Sequence, residues 1–123
     1  MHTWEVWYPN AAATGLLIAR ARIDPTMVLW VHAAPERLAV TVREGDDHVI
    51  AHGEPLERVG PQLPMTRLAV RDGIVTREDR WPTAADVGEL VLLPGGEAGR
   101  LLSWWNAPDG REWRWSLELY NHR

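Results

Sequence analysis

Arg77 and Asp79 are the two residues whose types and spacing most invite chemistry. They stand two apart in IVTRED, so in a strand both side chains reach the same face. If Asp72-Gly73 is a tight turn, that face also carries Leu68, Val70 and Val75, and runs on to Trp81. A guanidinium and a carboxylate at the mouth of an apolar recess would anchor the polar end of a ligand. Desolvation there would raise the carboxyl pKa and suit Asp79 to general acid–base work, with His32 or Glu97 as helper. The plainer alternative is a rim pair in which the two charges satisfy each other.

Other chemistries find less to work with. There is no cysteine, which removes thiolate nucleophiles, thiolate metal sites and disulfides together. The serines are Ser103 and Ser116, and neither has the context of a nucleophile elbow. His48 and His52 lie four residues apart along one strand, a spacing of about 13 Å that one metal ion cannot bridge. No metal site and no cofactor is therefore expected. LLPGGEAGR lacks the lysine of a phosphate loop and reads as a glycine turn. The net charge of -4 and the absence of a basic stripe argue against nucleic acid. All thirteen basic residues are arginine.

Eight tryptophans and no phenylalanine make the indole the main large aromatic group. Four of the eight fall in SWWNAPDGREWRWSLELY. A four-residue loop over 107–110 would pair Trp104 with Trp113, Leu102 with Trp115 and Arg100 with Leu117. Trp104, Trp113 and Trp115 would then point inward with Leu102, while Trp105 points outward near Arg114. Inward indoles are core material first, each burying about 150–250 Å². With Trp30 they are also candidate walls of a ligand cavity.

The elements that must position these residues are strands. Turn signals recur about every ten residues, and short β-rich runs lie between them. Strands are expected near 3–8, 15–23, 27–32, 37–44, 47–53, 65–71, 74–80, 89–93, 99–106 and 111–120, with one helical turn near 83–87 capped by Thr83. The fold class is all-β, an antiparallel meander closing into a small barrel or curved sandwich. One domain spans 1–123, and 54–64 is a loop that could close one end of the barrel. Gly45-Asp46 is expected to be a two-residue turn, which puts Leu38, Val40, Val42, Val49 and Ala51 on one face, with Arg43, His48 and His52 on the other. Trp4, Val6 and Tyr8 alternate with Glu5 and Trp7, and Leu17, Ala19, Ala21 and Ile23 read as inward, Arg20 and Arg22 as outward with Leu16 and Ile18. MVLWVHAAP is apolar on both faces, as a central or covered strand would be. No run is long and apolar enough for a membrane helix. MHTWEVWYP is not a signal peptide, so the chain is expected to be cytoplasmic and mature from Met1.

The segments ATGLLIARARIDPTMVLWVHAAPERL and DVGELVLLPGGEAGRLLSWWNAPDGREWRWSLELYN resemble an uncharacterised family of short bacterial proteins. Members share a comparable LPGGE turn, a WWN strand end and an EWRW strand. The resemblance implies a natural, free-standing, full-length domain and brings no catalytic residue with it.

Three functions follow from these readings. The first is a barrel that binds a small apolar or aromatic ligand through Trp30, Arg77, Asp79, Trp81, Trp104, Trp113 and Trp115. The second is a homodimeric interaction protein that uses Trp7, Trp30 and the Leu16/Ile18 face. The third is a small barrel enzyme with Asp79 as general acid or base.

Overall fold

Among the described residues, apolar–polar alternation gives ten strands and one short helical turn. The computed structural model describes residues 2–8, 16–23, 26–93, 98–106 and 113–119. The strands are β1 (His2–Tyr8), β2 (Leu16–Ile23), β3 (Val28–His32), β4 (Arg37–Glu44), β5 (His48–Glu57), β6 (Met65–Arg71), β7 (Ile74–Asp79), β8 (Leu90–Leu92), β9 (Ala98–Asn106) and β10 (Trp113–Leu119). They form one nearly closed, barrel-shaped sheet in the order β10-β9-β8-β3-β6-β7-β5-β4-β1-β2. A 3-10 turn covers Ala84–Asp86 and is capped by Thr83. None of the helical segments described is long and apolar enough to cross a membrane.

Hairpins supply most of the ladder, as a meander would. Two parallel pairings stitch the hairpins together: β3 with β8, and β5 with β7 at His52 and Ile74. Strand β1 sits between β2 and β4, so Thr3 and Glu5 each face a residue on both sides. The interior is filled by Trp4, Val6, Leu29, Val31, Leu38, Val40, Val42, Leu68, Val75 and their neighbours. These are the inward positions that the two-residue period selects. Where β5 meets β7, a Cβ on Gly53 would lie 3.0 Å from the Val75 carbonyl oxygen and 3.1 Å from the Val75 Cβ.

The β6–β7 hairpin has the register expected of an Asp72-Gly73 turn, with Val70 opposite Val75 and Leu68 opposite Arg77. The β4–β5 hairpin differs. Its turn has three residues, so Glu44 faces His48 and Arg43 faces Val49. The register then shifts past Ile50, and Val42 faces Ala51. The shift restores Leu38, Val40, Val42 and Ala51 to the core, while Val49 is left exposed.

The β9–β10 ladder is offset from the expected one by two residues. Trp104 faces Trp115, and Trp113 faces Asn106. A register shift between Ser116 and Leu117 then brings Leu117 opposite Leu101. Leu102, expected inside, is exposed, and Leu101 is fully buried instead. The cause is packing: Leu101 seats against Trp30, Met65 and Val91 on the outer side of the sheet. The facing of indoles 104, 105, 113 and 115 lies outside the described residues.

Because backbone oxygen and a branched side chain crowd Gly53, Gly53→Ala is expected to lower stability by about 1–3 kcal/mol. Urea unfolding of the two proteins side by side measures it.

Candidate functional site

The outer face of β2, β1 and β4 gathers arginines around one buried carboxylate. Strand β1 places Glu5 outward between the inward Trp4 and Val6, and Glu5 is 5 % exposed all the same. Arg20 on β2 donates from Nη2 to Glu5 Oε2 at 2.7 Å. Arg43 on β4 donates from Nε to Glu5 Oε1 at 2.8 Å. The Arg43 hydrogen bond, opposed by burial and supported by Arg20, holds Glu5 below the ordinary glutamate pKa. One position along, Thr3 faces Arg22 on one side and Arg43 on the other. Arg22 is exposed and has no carboxylate partner among the described residues.

These side chains border an open basin of about 420 Å³ lined by Thr3, Glu5, Arg20, Arg22, Arg43, Gly45 and Asp46. Three guanidiniums meet two carboxylates there, on a chain whose net charge is -4. Gly45 has a φ of 68° and lets the β4–β5 turn bend beside the basin. Glu5 fixes two guanidiniums through one edge each. Their remaining N–H groups, with Arg22 and the Thr3 hydroxyl, can donate to a guest. The arrangement is suited to holding an oxyanion.

Arg77 and Asp79 do share a face, and it is the inner one. Their side chains are 2 % and 1 % exposed, with Arg77 Nη2 3.0 Å from Asp79 Oδ1. Arg77 also donates to the backbone oxygens of Pro35, Glu36 and Leu56 at 2.8–3.0 Å. Asp79 accepts from Thr66 Oγ1 at 2.7 Å and from the Val59 N–H at 2.8 Å. Burial pushes the Asp79 carboxyl upward, but the hydrogen bonds from Arg77, Val59 and Thr66 outweigh it and hold the pKa below the ordinary aspartate value. A raised pKa was expected from an indole-lined setting. The neighbours here are donors instead, and they occupy the carboxylate. The pair acts as a plug that ties 35–36 and 56–59 across one barrel end.

Trp30 and Trp81 lie on the opposite side of the sheet from that plug. Trp30 faces Arg67 across the ladder, one position out of phase with Leu68 and Arg77. It is fully buried with Met65, Val91 and Leu101, and Trp81 packs against them. Its Nε1 donates to Glu89 Oε1 at 3.0 Å, and the Arg80 guanidinium carbon lies 5.2 Å from its ring centre. Glu89 also accepts from Arg67, and Asp86 from Arg80 and Thr83. The residues after β7 thus cover the outer face of β3. This explains a strand apolar on both sides.

Of the seven residues expected to line one ligand site, the structure keeps Arg77 with Asp79 and Trp30 with Trp81, on opposite faces. The side chains of Trp104, Trp113 and Trp115 lie outside the described residues. Among the described residues no three His, Asp or Glu side chains cluster as metal ligands do. The sequence reading placed Arg20, Arg22 and Arg43 outward but missed Glu5. Its position opposite Arg20 follows from the β1–β2 hairpin, while its contact with Arg43 needs the non-sequential β1–β4 pairing.

A family profile described as a family of unknown function (DUF7712) matches residues 1–123. The chain belongs to that family. No curated protein and no solved structure matches it. DUF7712 membership agrees with the resemblance to an uncharacterised family and assigns no activity.

Two outcomes follow from the plug. Asp79→Asn leaves the Arg77 guanidinium buried without its counter-charge, and Arg77→Met strands Asp79. Each is expected to cost about 3–5 kcal/mol in denaturant unfolding. Because the folded-state pKa of Asp79 is depressed, its contribution is full above the unfolded value of about 3.9 and is lost as pH falls through the lower folded value. Asp79→Asn should therefore lose less stability than the parent protein between neutral and strongly acidic pH. An equal loss would show that the pair does not carry the acid sensitivity.

Proposed function

We propose that this domain is a non-catalytic binding protein for a small oxyanion, a phosphate or carboxylate group, held on the outer face of β2–β1–β4. The observation that carries the reading is the basin in which Arg20 and Arg43 are fixed by the buried Glu5 while Arg22 meets no carboxylate among the described residues. Guanidinium forks suit planar and tetrahedral oxyanions alike. The interior supports this reading less well as a site. The buried Arg77–Asp79 pair is satisfied by protein atoms, and Trp30 faces the other way.

Calorimetric titration of the protein with inorganic phosphate, and in parallel with citrate, at low ionic strength tests the reading. Saturable binding is expected that weakens as salt is raised, because the basin is open to screening. Arg22→Ala removes donors that meet no carboxylate among the described residues, so the fold should persist while affinity drops about tenfold or more. Absence of heat with both anions, or unchanged binding by Arg22→Ala, would refute it.

A second reading, a homodimer, draws on β2 and β10 standing at the two ends of the strand order. A sheet edge offers unpaired backbone groups to another copy. Light scattering over a range of concentrations is expected to show a mass above the 14.0 kDa of one chain if that reading holds. A constant monomer mass removes it.

A further inference from the structure

We propose that the inner face of β1 holds a neutral hydroxyl oxygen shared by His2 and Trp4. Trp4 is fully buried, and its indole Nε1 meets no acceptor among the described residues. The buried Nδ1 of His2 has no partner either. Buried polar atoms are nearly always hydrogen-bonded, so two orphans on one strand mark a place where the protein expects a guest.

The two residues belong together. Trp4 points into the main core, and His2 lies two positions earlier on the same face, with an unbroken register against both β2 and β4. Their Cα atoms are therefore about 7 Å apart, a spacing at which one oxygen can reach both side chains. The walls around Trp4 are Ala21 on β2 and Val42 on β4, with Ala51 beyond, while His2 stands between Ile23 on β2 and the exposed Glu44 on β4. An indole N–H only donates, whereas an imidazole Nδ1 accepts or donates according to its tautomer. A hydroxyl oxygen accepts from the indole and either donates to or accepts from the imidazole. A carboxylate or phosphate would need a cation here, but the neighbours of Trp4 on this face are apolar and the residue opposite His2 is the acidic Glu44. The oxygen belongs either to an ordered water or to the hydroxyl of a small, otherwise apolar molecule.

The test is nuclear magnetic resonance of the ¹⁵N-labelled protein, with the Trp4 indole signal assigned by its loss in Trp4→Phe. Two arms are run: cross-relaxation from bulk water to the Trp4 indole proton, and titration with benzyl alcohol against toluene. A long-lived water contact assigns the oxygen to water. A saturable shift with benzyl alcohol but not toluene assigns it to a hydroxyl ligand. An indole proton with no water contact that neither probe moves overturns the proposal, and so does an equal response to toluene. If Trp4→Phe does not fold, the Trp4 indole signal is assigned by backbone-to-side-chain correlation in the parent protein, and His2→Ala at the strand start is the variant compared. The proposal expects that change to move the Trp4 indole signal, and an unmoved signal contradicts a shared oxygen.

Discussion

A carboxylate taken out of water must keep a cation beside it, and this small barrel meets the requirement with arginine alone. Among the described residues three acidic side chains, Glu5, Asp79 and Asp86, are buried, and each has a guanidinium within hydrogen-bond reach. The planar fork of arginine lets one side chain satisfy several oxygens from a fixed geometry, which an ammonium does less well. The sealed barrel end, the covered outer face and the surface basin all rest on these pairs.

The three pairs do different work because their surroundings differ. At Asp79 the guanidinium is consumed: its edges meet one carboxylate and three backbone oxygens, and the barrel end is sealed. At Asp86 the partner Arg80 also stacks on Trp30, so the pair fastens the 80–89 segment over the outer side of β3. At Glu5 two arginines share one carboxylate and face solvent over part of their surface, which leaves donors unspent. The same interaction is thus structural where it is enclosed and receptive where it opens on a basin. Glu5 doubles as a brace, since it joins β2 and β4 across β1 without a backbone contact between them.

Much of the architecture was legible in the residues. Glycine and proline punctuation located all ten strands, and Thr83 with Asp86 marked the only helical turn among the described residues. Alternation placed Trp4, Val6, Leu38, Val40, Val42, Leu68 and Val75 inside. The failures have a common origin. Ile50 and Leu102 sit where the register shifts, and a shift flips the face of every residue beyond it. Val49 and Leu102 were misplaced for that reason. The partnership of Trp30 with Glu89, and of Glu5 with Arg43, depends on strand order. Local periodicity carries no information about which distant strand lies alongside. Arg77 and Asp79 were located correctly on an apolar face, but their saturation depends on backbone oxygens from loops that the strand pattern does not describe.

The most direct measurement follows the arginine Nε–Hε resonances of the labelled protein while inorganic phosphate is added. Arg20, Arg22 and Arg43 are predicted to shift together and saturate at one affinity, while the enclosed Arg77 stays still. Shifts spread evenly over all surface arginines without saturation, or none at the three basin residues, would contradict the account.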